Sequence, residues 1–274
     1  MIGGGIVDFH VHSAPSILPR HLRDPATADT VTGTGVARFV LKAHEGSSVE
    51  RADLMGPGAA GGIVLNSPVG GINPDAVQVA AQLGGRVVWL PTISSASHQA
   101  VVATSDQLSV HRQIQFREVP VLADNKLSPD LECVLEIVAE HDLILASGHI
   151  PVPAALRVFE FAAQLGVQRF LVNHPTFEFM HWSDDLLAPL QALNVHLEVG
   201  CVADLGMTSP ASTTAHLAAS YPPSLLVFGS DLGHTAYPTY REGITDWYEG
   251  IENHIGATTL EQIMTTNGSE LLEV

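Results

Sequence analysis

The stretch "LILASGHIPVPAALRVFEFAAQLGVQRFLVNHP" (residues 143–175) holds one complete structural unit. Leu143–Ala146 is a short apolar run of strand length. Pro153–Leu165 follows, with apolar residues three and four apart, the pattern of a helix that buries one face. A second apolar run, Phe170–Val172, closes the unit. Strand, helix, strand in this order is the signature of parallel strands joined by a crossover helix. A histidine comes just after each strand, His149 after the first and His174 after the second.

The unit recurs in both directions along the chain. Apolar, β-branched runs occur at Ile6–Val11, Arg38–Leu41, Gly62–Leu65, Val87–Leu90, Leu143–Ala146, Phe170–Val172, Val195–Val199 and Leu225–Phe228. Helix-compatible stretches lie between most of them, at Asp75–Leu83, Ser128–His141, Pro153–Leu165 and Leu186–Leu193. Eight strand-then-helix steps read as an α/β protein, a (β/α)8 TIM barrel with some distortion. Ser94 to Lys126 is longer than a normal connection and reads either as one helix plus a loop or as a segment with a further strand at Val119–Ala123. A seven-stranded barrel is the structural alternative. The last stretch, Thr258–Val274, opens with a capping-box pattern, Thr258 and Glu261. No internal repeat, low-complexity tract or linker divides the chain, so residues 1–274 read as a single domain.

Polar residues capable of chemistry follow the strands. The first strand ends in "VDFHVHSAP" (residues 7–15), and in an extended chain Asp8, His10 and His12 share one face. "FVLKAHEG" supplies Lys42 and His44 after the second strand, and "LPTISSASH" leads to His98 after the fourth. His149 and His174 follow the fifth and sixth, "HLEVG" carries Glu198 in the seventh, and "LVFGSDLGH" gives Asp231 and His234 after the eighth. All C-terminal strand ends of a parallel barrel meet on one rim, so residues dispersed in sequence converge there. Neutral imidazoles and a carboxylate converging in a dry cup are a ligand set for zinc or a similar divalent ion.

Composition narrows the classes. The chain has 274 residues, 46% of them apolar, and a mean hydropathy of +0.21, enough for a large core. Lys and Arg total 12 against 29 Asp and Glu, a net charge of -17 that disfavours nucleic acid and anionic membrane surfaces as partners. A small-molecule substrate is the expected partner, and a homo-oligomer is compatible with the composition. Cys133 and Cys201 lack CxxC spacing, and no secretory signal or long apolar run is evident, so the expected location is the cytoplasm. Phosphate-loop, dinucleotide and nucleophile-elbow motifs are missing.

The segments "VDFHVHSAPSILPRHL", "FVLKAHEG", "VVWLPTISSASH", "LILASGH", "RFLVNHP", "LLVFGSDLGH" and "NGSELLEV" together resemble the amidohydrolase superfamily of metal-dependent barrels and, within it, the uncharacterised family DUF6282. The resemblance implies metal ligands at His10, His12, His149, His174 and Asp231, holding one or two ions of zinc or manganese. It also implies that Asp231 both ligates and moves the proton of the attacking water, with His174 as a second-metal ligand or a base. Asn267-Gly268 and His234 depart from the superfamily's pattern, and His234 then reads as a specificity residue.

The expected activity is hydrolysis of a C–N or C–O bond in a small amide, cyclic amide or lactone by a metal-activated water. A non-oxidative decarboxylase or hydratase on the same barrel is one alternative, with Arg20 holding a carboxylate. A phosphoesterase of the polymerase-and-histidinol-phosphatase type is another, because "DFHVHS", "KAHEG" and "SDLGH" also echo its motifs, and it would draw on His44 and His234. A barrel that binds a metal without turnover is the non-catalytic reading. Lys42, costly to bury as a cation, reads as a carboxylated metal bridge, a site-facing ammonium, or a salt-bridge partner of Glu45 or Asp231. Arg20, His44 and His234 are taken as substrate-facing, and Glu198 as a residue orienting a ligand histidine. Cys201 reads as a buried thiol, and His111, His141, His216 and His254 as surface or helix histidines.

Overall fold

The computed structural model describes residues 4–105, 109–124, 126–205 and 212–273. Its strands are β1 (Ile6–Val11), β2 (Val36–Leu41), β3 (Ala59–Ala60), β4 (Gly62–Val64), β5 (Val87–Trp89), β6 (Ile144–Ala146), β7 (Arg169–Val172), β8 (His196–Val199) and β9 (Leu226–Phe228). Every ladder is parallel, in a sheet of order β1-β2-β3 and another of order β4 through β9. β3 and β4 are two halves of one strand, divided at Gly61. A side chain at Gly61 would put its Cβ 2.5 Å from the Val49 Cα, and one at Gly62 would meet the Val87 carbonyl oxygen at 2.1 Å. Two glycines thus let the strand pass against a helix start and step from one neighbour to the other. The remaining seam is joined by a parallel bridge between Val11 and Leu232, with His12 N donating to Leu232 O at 2.9 Å and Asp231 N to His10 O at 2.8 Å. The result is a distorted (β/α)8 barrel.

Helices follow the strands as the apolar spacing requires. They include α1 (Asp24–Thr32), α2 (Val49–Met55), α3 (Pro74–Gln82), α4 (Ala96–Thr104), α5 (Pro129–Glu140), α6 (Val152–Gln164), α7 (Leu187–Ala192), α8 (Cys201–Leu205), α9 (Ser212–Ser220) and α10 (Tyr240–Ile255). α11 (Ala257–Glu261) and α12 (Asn267–Leu272) are linked by a π turn over residues 262–266. None of the described helices is long and apolar enough to cross a membrane.

Two apolar layers hold the barrel. Val7, Phe9, Val40, Val64, Val87, Trp89, Ile144, Ala146, Leu171 and Val227 form the inner one, joined by Leu271 and Leu272 of α12. The outer layer packs helices on the sheet and includes Val88, Leu145, Val172, Leu197 and Phe228. The alternation along each strand is what assigns a residue to one layer or the other. The last helix covers the N-terminal ends of the strands, where a Cβ at Gly268 would lie 2.8 Å from that of Val7 and where Arg169 Nη1 donates to Leu271 O at 2.8 Å.

One open alternative is resolved and two sequence expectations need correction. Ser94–Lys126 holds the helix α4 and, within the loop that follows, a 3₁₀ turn at Ser109–Gln113, and Val119–Ala123 forms no strand among the described residues, only a bridge from Ala123 to Lys126. Thr258 does not cap α11, whose first turn it sits inside; the capping box is at Thr239 and Glu242, opening α10. Asp8 does not share a face with His10 and His12. The β1–β2 register shifts between Asp8 and Val11, three residues on one strand spanning two on the other, as in a β-bulge. Asp8 Oδ1 accepts His10 N and Ser230 N, both at 2.9 Å, and Oδ2 accepts the Tyr240 hydroxyl at 2.7 Å. The carboxylate therefore braces the bulge that re-aims the two histidines.

Candidate active site

The C-terminal strand ends bring His10, His12, Lys42, His44, His149, His174, Glu198, Asp231 and His234 into one buried region. At its centre three atoms crowd together. His10 Nε2 and His12 Nε2 are 3.2 Å apart, and Asp231 Oδ1 lies 3.1 Å from each. Their outer nitrogens fix the tautomers. His12 Nδ1 is 2.8 Å from the Lys42 carbonyl oxygen, which can only accept, so Nδ1 carries the hydrogen and a neutral Nε2 presents a lone pair. His10 Nδ1 is 2.7 Å from Glu198 Oε1 and is oriented in the same way. Three acceptors at this spacing repel one another unless a cation lies among them, a metal ion or a proton on His10. Ligands about 2.0–2.1 Å from a tetrahedral metal stand about 3.3 Å apart, close to the spacing seen here, so the residues fit a divalent ion.

The supporting shell is built for that centre. Glu198 receives Asn173 Nδ2 at 2.6 Å on its other oxygen, and a side chain at Gly229 would put its Cβ 2.5 Å from Glu198 Cγ. Outer carboxylates of this kind hold a ligand imidazole in place, and Glu198→Gln should weaken metal affinity about 10–100-fold with the fold retained. Competition against a chromogenic chelator measures this; an unchanged affinity would deny Glu198 that role. Asp231 and His174 both have left-handed backbones, with φ of 54° and 27°. Non-glycine residues hold such conformations where surrounding structure imposes them. For Asp231 one such constraint is its own N–H, donated to His10 O.

His174 approaches from β7, its ring 5.7 Å from that of His10 and stacked on Phe177 at 4.6 Å. Its buried Nδ1 has no partner among the described residues, and with His10 and Glu198 it forms a second group of closely spaced ligand atoms. His149 stands 4.9 Å from the His174 ring and outside both of these groups. Its Nδ1 is 2.9 Å from His98 Nδ1, and His98 Nε2 is in turn 3.2 Å from His111 Nδ1. His44, with its ring 5.0 Å from His12, meets Thr92 Oγ1 at 2.9 Å, and Asn66 Nδ2 donates to both the His44 carbonyl and Thr92 Oγ1. Burial, reinforced by neighbouring cations and rings, holds His12, His44, His149 and His174 well below the usual imidazole range. It brings His98 to about 3 and His111 to about 4. They are neutral near pH 7, as ligands and acceptors need to be. Burial acting alone would raise Asp231, but His10, His174, Lys42 and Arg20 hold it below the ordinary carboxylate value.

Lys42 lies beneath this layer. Its Nζ is 5.8 Å from the Trp89 ring centroid, and among the described residues it has no hydrogen-bond partner and pairs with neither Glu45 nor Asp231, against the salt-bridge reading. Burial brings it down to about 8, with Glu198 and Asp231 pulling the other way. An ammonium charged near pH 7 but shifted this far is held at a cost, so Lys42→Met should raise stability by about 2 kcal/mol. A thermal or urea melt checks this, and a destabilised variant would mean that the lysine is satisfied by a group such as a carbamate.

A free space of about 40 Å³ is lined by His12, Arg20, His44, His98, His111, His149, His174, Asp231 and His234 among others. Arg20 and His234 therefore face the cavity, whereas Lys42 does not line it. His111 corrects the surface assignment, and Asn66, Thr92, Asn173 and Gly229 were not singled out at all. Cys201 is buried, with its thiol pushed up by burial.

The profile of DUF6282, described as a family of unknown function, matches residues 5–198. No curated protein matches the chain significantly. Among solved structures, a Pseudomonas putida protein assigned as a 2-pyrone-4,6-dicarboxylic acid hydrolase is similar over 99% of this chain and 98% of its own, at 14% identity and a TM-score of 0.68. An amidohydrolase from Pseudomonas aeruginosa is similar over 98% and 95%, at 9% identity and a TM-score of 0.63. A mutant organophosphorus hydrolase is similar over 99% and 93%, at 11% identity and a TM-score of 0.55. At these identities the likeness is one of fold.

Proposed function

Because this chain belongs to DUF6282, a family of unknown function, its activity has to be read from the site, and we propose a metal-dependent hydrolase that cleaves a C–O or C–N bond of a small molecule. The observation that carries this reading is the set of three acceptor atoms within 3.2 Å of one another, on residues whose outer nitrogens are already committed. His10, His12 and Asp231 would hold a divalent cation, zinc or manganese, with His174 and His149 beside them. Such an ion lowers the pKa of water toward neutrality and polarises a carbonyl oxygen.

The chain's own groups supply the rest. Asp231 Oδ1 faces the two imidazoles, which leaves its second oxygen to accept the proton of the attacking water and return it to the leaving group. The depressed carboxyl of Asp231 keeps it ionised for that task. His174, neutral and with a buried unpartnered nitrogen, can steady the substrate oxygen, and His44 and His234 face the bound molecule. The likeness to a protein assigned to a pyrone dicarboxylic acid favours a lactone among the candidate bonds. The substrate is taken to be a cytoplasmic small molecule.

A panel of lactones, cyclic imides and carboxylic esters tests the proposal. Turnover of at least one class, abolished by a chelator and restored by zinc or manganese, is expected. Phosphate release from phosphomonoesters, or carbon dioxide release from a carboxylic acid, with no turnover of the panel would replace it.

A further inference from the structure

One wall of the cavity carries two nitrogen donors with almost nothing to receive them. His234 Nδ1 accepts the backbone N–H of Ala236 at 2.9 Å, so the hydrogen of the neutral ring is on Nε2. That Nε2 is buried and has no partner among the described residues, and His234 is only 4% exposed. Arg20 makes one side-chain hydrogen bond, a long one from Nε to Ser16 Oγ at 3.4 Å, and no ion pair among the described residues. The nearby carboxylates form no ion pair with it among the described residues, although Glu45 Oε2 is buried without a partner. Glu45 Oε1 accepts Ser16 Oγ at 2.7 Å and Ile17 N at 2.6 Å, Asp231 Oδ1 faces the two imidazoles, and Asp24 is paired with Arg51 at 2.7 Å.

The backbone sets the two donors side by side. Arg20 and His234 form an antiparallel bridge, flanked by His21 N to Gly233 O at 2.9 Å and Thr235 N to Pro19 O at 3.2 Å. Residues opposite one another in such a bridge project from the same face. Both line the same cavity. Burial pulls the guanidinium to about 10, although Asp231 and Glu45 act to raise it. A planar fork of N–H groups with a single further donor beside it matches the two oxygens of a carboxylate.

We propose that Arg20 and His234 form a carboxylate-binding subsite, so that the molecule hydrolysed here carries a carboxyl group held apart from the histidine–aspartate centre. This deepens the hydrolase reading and rests on it only in taking the cavity as the substrate's place. It makes Arg20 and His234 the determinants of substrate choice, and it implies that the amide or methyl ester of a true substrate is a poor one, because it leaves the guanidinium buried without a hydrogen-bonded carboxylate.

Calorimetric titration of the metal-loaded protein with glutarate and with neutral pentane-1,5-diol, neither of which offers a bond to hydrolyse, tests the subsite apart from catalysis. Glutarate should bind at least about tenfold more tightly, the size expected of a charge-assisted hydrogen bond. Arg20→Met and His234→Phe should each erase most of that preference at unchanged metal content. His234→Gln, which keeps an N–H donor, should retain it and so separates lost recognition from lost folding. Equal binding of the two probes, no binding of either, or a preference that survives in Arg20→Met and so belongs to the metal would overturn the proposal. Inorganic phosphate displacing glutarate at equal concentration would overturn the carboxylate assignment. A glutarate preference with no turnover of any lactone, imide or ester would sink the hydrolase reading and leave the subsite standing.

Discussion

Asp231→Asn should purify as a folded protein with most of its metal gone and turnover down by about 10³-fold or more. The loss has two sources, since one side chain supplies both a ligand oxygen and the proton acceptor, and a general base alone contributes roughly 10²–10⁴. The fold should survive for a reason specific to this geometry. An amide N–H at position 231 can donate to the imidazole lone pairs that stand 3.1 Å from the native carboxylate oxygen. The metal-free variant should therefore melt no lower than the metal-free parent. His10→Ala removes the same ion but strands the Glu198 oxygen that it meets at 2.7 Å, and leaves a void, so it should also lose about 3 kcal/mol of stability. Elemental analysis and thermal melts on the two variants check both halves. Unchanged metal content in both would remove the assignment of these ligands.

Metal-free protein should lose stability steeply as the pH falls from 7 toward 5. Burial depresses His98 to about 3 and His111 to about 4 in the folded state. In the unfolded chain each titrates near 6.5. Below that value the unfolded state binds protons that the folded state refuses, so the stabilisation is fully present above about pH 6.5 and is lost as the pH falls. Each such group contributes about 1.4 kcal/mol per pH unit within its window, and these two together about 3. The buried His12, His44, His149 and His174 act in the same direction. Asp8 opposes them, because its folded value is raised to about 6 and it therefore favours the folded state as the pH falls through that value. One carboxyl does not offset six imidazoles. A melting temperature that is flat or rising between pH 7 and pH 5 would contradict this electrostatic picture.

The fold was legible where burial is complete. Parallel barrel strands are covered on both faces, so Val87–Trp89 and Ile144–Ala146 read directly as short apolar runs, and the crossover helices showed their spacing between them. The interrupted β3–β4 strand was not legible, because the break depends on how closely two glycines approach Val49 and Val87. Placing histidines and Asp231 just after strands made the rim legible as well. The bulge in β1 was invisible to strict alternation, and Asp8 was therefore put on the wrong face. His98 comes from the first turn of α4 and His111 from the 3₁₀ turn at Ser109–Gln113, and only the tertiary path between them brings their rings to 5.3 Å. Asn66, Thr92 and Asn173 act through hydrogen bonds to His44 and Glu198, for which the sequence has no periodic signal.

Metal content per chain, measured by elemental analysis on protein purified without added metal or chelator, bears most directly on the central claim. One or two divalent ions per chain, lost in His10→Ala and Asp231→Asn, is the result expected of a centre built on His10, His12 and Asp231. A metal-free protein that takes up no zinc or manganese on dialysis against either would mean that a proton, and not a metal, separates those three atoms, and the hydrolytic account would fall with it.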